Sequence, residues 1–289
     1  MRGSGPADDA DGRPDAAPGP NVPVFLVGPR KTGTTSLYAI FRAKGLPVSH
    51  KVKESMFFDQ ETIDLNGYGD IFGLDLARPF IEVSPSYFTA PFALLNVVQH
   101  FPEAWIVVTL RHPVDRALSG LAHARRIGLA VTEGPDHVLN EKQLAKVADT
   151  SRYEVHVGRW VRKFPGRVLR LRQRDDGTYG SAALATLSEV VGAPITPGDV
   201  DATRANPARS ARSQTLARLA HRTKRSLRRA GAHRAVTILK PLNKLLYAPS
   251  GNEDWVPSAR RWLEAQLTES IAYYDAIGEA AVLDDEHAA

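Results

Sequence analysis

Cysteine is absent from the 289 residues, which excludes disulfides, thiolate metal sites and cysteine nucleophiles, so any chemistry rests on oxygen and nitrogen groups. No apolar run approaches the roughly 20 residues needed to cross a bilayer, and the N-terminal stretch lacks the apolar core of a signal peptide. The expectation is a soluble, cytoplasmic protein. Acidic residues are missing from one long interval. Between Asp201 and Glu253 there is none, while twelve Lys and Arg lie there, from Arg204 to Lys244. The formal charge of +5 is therefore concentrated in one segment, which favours an anionic ligand or surface. Residues 1–21 are rich in Gly, Pro, Asp and Ala, offer no apolar period to bury and read as a disordered leader.

What remains has 43% hydrophobic and 24% charged residues, enough for one domain over residues 22–280, with 281–289 expected as a frayed acidic tail. Short β-branched runs at 22–27, 80–83, 105–110 and 167–171 read as buried strands. Helical periods follow at 34–44, 91–100, 114–126, 153–163 and 181–191. Strands alternating with helices predict an α/β fold, a P-loop-type parallel sheet flanked by helices. The last third turns helical and basic over 213–246, and a closing amphipathic helix is expected over 259–277.

Three stretches carry the chemistry. In VFLVGPRKTGTTSL (24–37), a buried strand runs through a glycine-bracketed turn into a helix start. Backbone N–H groups from Gly33 to Ser36 at a helix N-terminus form an anion site, because the first turn's donors are unpaired and the dipole is positive there. A Walker loop would place lysine at position 34, yet this chain has Lys31 inside the turn and Thr34 and Thr35 after the second glycine. The second stretch, LRHPVDRALSGLAH (110–123), puts Arg111 at the carboxyl end of a strand, with Ser119 two turns into the next helix. An arginine fork with a hydroxyl suits a second phosphate. The third, KVKESMFFDQ (51–60), sets Glu54 among Lys51 and Lys53, an arrangement that also occurs as a solvated ion-pair surface.

Together and in this order these motifs resemble those of the sulfotransferases that use 3'-phosphoadenylyl sulfate (PAPS), particularly the heparan sulfate branch and its compact bacterial relatives. GPRKTGTTSL is similar to that family's 5'-phosphosulfate loop, KESMFFD to its K-E-x-x-F-F-D segment, EVSPSYF (82–88) to its S-P-x-Y-F turn, and IVVTLRHPVDRALSGLAH to its 3'-phosphate strand and helix. The likeness continues through SRYEVHVGRWVRKFPGRVLRL, covers about 22–171, and is looser in the basic remainder. The resemblance implies sulfuryl transfer from PAPS to a hydroxyl of a small molecule, lipid or carbohydrate, leaving adenosine 3',5'-bisphosphate and requiring no metal. By the same resemblance Lys31 stabilises the bridging oxygen, and Gly33, Thr34, Thr35 and Ser36, with Arg30 and Thr32 of the same loop, hold the 5'-phosphosulfate. Arg111 and Ser119 hold the 3'-phosphate. Glu54, with Lys53 beside it, is the base.

The animal enzymes close their nucleotide site with a cysteine-bounded loop that this chain lacks. Arg209 and Arg212 stand as replacements for its phosphate contacts, with a solvated basic face as the equal alternative. His50, His112 and His123 are further candidates for the base. Two rival readings are a P-loop kinase or NTPase, disfavoured by the missing Walker lysine, and a non-enzymatic basic binder of nucleic acid or anionic membranes. The segment 204–244 lacks the interleaved aromatics of a base-stacking platform, so no nucleic acid is expected, and contact with a membrane or another anionic surface stays open.

Overall fold

Five of the six residues in WIVVTL and all five of VFLVG are buried, the near-continuous apolar pattern of strands covered on both faces. The computed structural model describes residues 19–127, 132–133, 138–139, 141–202, 209–211, 223, 247–249, 255–278 and 280–283. In chain order its elements begin with β1 (Val24–Gly28), α1 (Thr34–Ala43), α2 (Tyr68–Phe72), β2 (Ile81–Val83), α3 (Pro91–His100), β3 (Trp105–Leu110) and α4 (Pro113–Arg126). There follow β4 (Thr132–Glu133), β5 (Val138–Leu139), α5 (Glu141–Asp149), α6 (Tyr153–Val161), β6 (Val168–Arg172), α7 (Ser181–Val191) and α8 (Pro197–Ala202). The chain closes with β7 (Arg209–Ala211), β8 (Tyr247–Pro249), α9 (Val256–Gln266), α10 (Thr268–Ala276) and β9 (Ala280–Leu283).

Strands β2, β1, β3 and β6 pair in that order, all parallel, and β9 adds an antiparallel edge to β6. The expected α/β architecture is therefore present. Alternate side chains of each strand enter opposite layers. Phe25, Val27, Ile106 and Val108 pack under α3, α6 and α10, while Val24, Leu26 and Val107 pack under α1 and α7. A third apolar cluster joins α4, α5 and α9 through Val114, Leu121, Leu144 and Leu263. Because β2 and β3 lie on opposite sides of β1, the connections leaving β1 and β3 diverge above the sheet's carboxyl edge, the crevice where open α/β sheets bind ligands.

Two expectations are corrected. Residues 281–283 belong to β9 and not to a frayed tail, since β6 would otherwise leave an open edge and the apolar Ala280–Leu283 run covers it. The single closing helix over 259–277 is two, broken at Leu267, so that Ala259 and Leu263 reach the third cluster while Tyr274 reaches the core under β1 and β3. Of the leader expected over 1–21, residues 1–18 lie outside the described residues, and so does most of the basic segment 204–244.

Candidate active site

The turn from β1 to α1 is set by backbone geometry that few residues tolerate. Gly28 has φ +103°, and a β-carbon there would come within 2.7 Å of the Pro85 carbonyl oxygen. Gly33, the N-cap of α1, has φ +82°, and its β-carbon would meet Gln173 Nε2 at 2.6 Å and the Tyr179 hydroxyl at 2.7 Å. Between them Lys31 adopts φ +75°, a left-handed conformation costly for a residue with a β-carbon and one that clusters at ligand sites. Thr32 points inward. Its hydroxyl donates to Pro29 O (2.6 Å) and meets Thr109 Oγ1 (2.6 Å), while the Tyr179 hydroxyl donates to its carbonyl (2.7 Å). The Thr32 hydroxyl is thus occupied by the protein interior and ties the loop to β3.

Around this turn the structure gathers charged groups from distant parts of the chain. Lys53 Nζ donates to both Thr34 Oγ1 and Glu54 Oε1, each at 3.2 Å, and Arg30 pairs with Glu54 Oε2 at 3.0 Å. Glu54 therefore sits between two cations directly beside the first turn of α1. No side chain caps that helix, so its leading N–H groups face the same space. Thr35 is exposed and Ser36 half-buried in this first turn. Burial lowers the Lys31 ammonium to a pKa of about 8, and the positive charges of Arg126, Arg111, Lys53 and Arg116 add to the effect. Lys53 is lowered as well, again by burial, with Glu54 opposing the shift. This basin of converging positive charge is disfavoured until an anion enters it.

Arg111 follows the last residue of β3, and its carbonyl accepts a hydrogen bond from the Tyr153 hydroxyl (2.8 Å). Ser119 is half-buried two turns into α4. β7 lies against α4, so the Arg209 backbone runs along the helix that carries Ser119; Arg212 is outside the described residues. The candidate histidines have contacts of their own. His50 packs on Gly73, His112 sets its ring edge-on to Tyr274 (centroids 5.7 Å), and His123 Nδ1 lies 2.7 Å from Arg126.

Sequence reasoning missed Arg126, although it follows Ser119 by seven residues and so shares its helix face, a spacing that could have flagged it. It also missed Gln173 and Tyr179, which buttress Gly33 from the turn that follows β6. Their contribution has no local signal, because it depends on two segments some 140 residues apart meeting in space. Among the described residues no cluster of His, Asp or Glu could hold a metal ion.

Fold and site together define an α/β protein whose phosphate-type turn carries its lysine inside the loop and its carboxylate between cations. No profile of a known protein family matches the chain. Over 162 residues, 49% of this chain and 18% of the other, it is 25% identical to the bifunctional heparan sulfate N-deacetylase/N-sulfotransferase 1 of Xenopus tropicalis. It is 27% identical over 157 residues to the protein of the same name in Caenorhabditis elegans, again 49% of this chain and 18% of that one. With the human bifunctional heparan sulfate N-deacetylase/N-sulfotransferase 2 it shares 26% over 199 residues, 61% and 22% of the two chains. The chain thus spans about a fifth of the length of these relatives. A solved sulfotransferase from Alicyclobacillus acidocaldarius aligns at TM-score 0.49 and 20% identity, over 89% of this chain and 94% of that one. The homology to heparan sulfate N-sulfotransferases supports assignment of the chain to the sulfotransferase family.

Proposed function

We propose that the chain transfers a sulfuryl group from PAPS to a hydroxyl acceptor. The observation that carries this reading is the meeting of Lys31, Lys53, Thr34 and Glu54 at the N-terminus of α1. A sulfuryl donor on a 5'-phosphate needs cations at the bridging oxygen and a base within hydrogen-bond reach of the acceptor hydroxyl that attacks sulfur, and the residues present suit both. Lys31 and the N–H groups of Gly33 to Thr35 would hold the 5'-phosphosulfate together with the Ser36 hydroxyl, the Ser36 N–H being turned to Gly33 O (2.9 Å), and Arg111 and Ser119 would take the 3'-phosphate. In the reaction the acceptor oxygen forms its bond to sulfur as the bond from sulfur to the bridging phosphate oxygen breaks. The acceptor proton passes to Glu54, and adenosine 3',5'-bisphosphate departs with its charge balanced by Lys31. Arg30 and Lys53 fix both carboxylate oxygens of Glu54, which orients the base before the acceptor arrives.

The acceptor is a small molecule, lipid or carbohydrate. Because the relatives' names specify transfer to nitrogen, an amine is the second reading. No helix among the described residues is long and apolar enough to cross a membrane. The test is transfer of label from radiolabelled PAPS to a fractionated extract of the producing cells. Glu54→Gln, which keeps size while removing the proton-accepting charge, is expected to lower the rate about 10²- to 10⁴-fold. A variant that keeps more than about a tenth of the activity would remove Glu54 as the base.

A further inference from the structure

Glu82 lies on β2 and is 2% exposed. A buried carboxylate is an acceptor only and is costly unless every oxygen is served. Here hydroxyls serve it, and no cation among the described residues pairs with it. Ser55 and Ser84 donate to Oε1 at 2.5 and 2.6 Å, Tyr87 reaches the same oxygen at 3.3 Å, and Tyr68 donates to Oε2 at 2.7 Å. These donors come from different parts of the chain: Ser55 adjoins Glu54, Tyr68 opens α2, and Ser84 and Tyr87 form the turn after β2. The hub then closes on the segment bearing the base. Ser55 N donates to Ser84 Oγ (3.1 Å), Phe58 N donates to the Tyr87 hydroxyl (3.2 Å), and the hydroxyls of Ser55 and Tyr87 are 2.8 Å apart. Residues 55–58 therefore hang from one buried carboxylate. Met56 at their centre has φ +55°, a left-handed conformation for a residue with a β-carbon, so the segment is held in a shape it would not adopt unaided.

We infer that Glu82 is a positioning residue for sulfuryl transfer: through Ser55 it fixes the backbone that aims the Glu54 carboxylate at the acceptor. This rests on the reading of Glu54 as base. Glu82 does not touch the donor site, so its loss should leave nucleotide binding intact and misplace only the carboxylate.

The test measures label leaving radiolabelled PAPS, to water or to the cell-extract fraction that the wild-type protein labels, for Ser55→Ala and Glu82→Ala in both the wild-type and the Glu54→Gln backgrounds. Ser55→Ala is expected to lower kcat about tenfold to a hundredfold while leaving the Kd for adenosine 3',5'-bisphosphate within about twofold, and to have no further effect once Glu54 is Gln. Amide hydrogen exchange over 53–58, which needs no acceptor, is expected to quicken at least about tenfold in the bisphosphate complex of either variant. Unchanged exchange overturns the inference, and so does an equal fractional loss of rate in both backgrounds. Glu82→Ala removes the most contacts; if it does not fold, Ser55→Ala carries the test alone. A Glu54→Gln protein with wild-type activity would instead overturn the reading of the base, whatever Ser55 does.

Discussion

At the scale of single residues, the two lysines of the site differ in what they touch. Lys53 is tied to Thr34 and Glu54, so it organises the site before any ligand binds, whereas Lys31 is held in a left-handed turn among like charges. Lys31→Ala should therefore weaken bisphosphate binding and turnover together, a pattern distinct from the pure rate loss of Glu54→Gln, and titration calorimetry beside kinetics separates the two. The lowered pKa adds a signed pH effect. In the free protein Lys31 loses its proton near pH 8, below its ordinary 10.5. An anion favours the protonated form, so binding above pH 8 takes up a proton and must weaken as pH rises further, by up to about tenfold per unit. Calorimetry in buffers of different ionisation enthalpy should show this uptake at pH 9, and Lys31→Ala should abolish it. For the protein alone the sign is opposite. Charging the buried ammonium costs stability, so this group's penalty is present below about pH 8 and fades as pH rises from 8 towards 10.5.

At the scale of elements, the turn before α1 is shaped from behind by the turn after β6. Tyr179 donates its hydroxyl to the Thr32 carbonyl, and both partners are buried. Tyr179→Phe leaves that carbonyl without its donor and should cost about 1–3 kcal/mol in urea unfolding, with weaker bisphosphate binding because the loop loses its support. Much of this level was legible in the sequence. The Pro91–His100 and Ser181–Val191 helices fall where periodicity put them, since Pro91 and Gly192 mark a start and a stop. The five-residue α2 was not legible, because an isolated single turn has too few residues to show a period and depends on Tyr68 and Phe72 being buried by the rest of the fold. β9 was hidden for a related reason: four apolar residues beside an acidic run become a strand only when β6 offers an edge.

At the scale of the molecule, the parallel sheet turns four short motifs scattered over nearly a hundred residues into one basin. β1 delivers Lys31, β3 delivers Arg111, and the segment hung from β2 delivers Lys53 and Glu54, all at the sheet's carboxyl edge. The motif residues could be picked out of the sequence because each carries a charge or a glycine in an unusual place. The supports Glu82, Thr109 and Tyr179 could not, because a buried hydroxyl or carboxylate looks the same in sequence whether or not it holds a functional loop. We propose that this basin binds a nucleotide bearing separate 3' and 5' anions. Titration calorimetry of the protein with adenosine 3',5'-bisphosphate, AMP and magnesium-ATP tests it most directly. The bisphosphate is expected to bind at least about a hundredfold more tightly than AMP, the 3'-phosphate adding about 2.7 kcal/mol or more through charge-assisted hydrogen bonds. Equal affinities for all three, or a preference for magnesium-ATP, would contradict it.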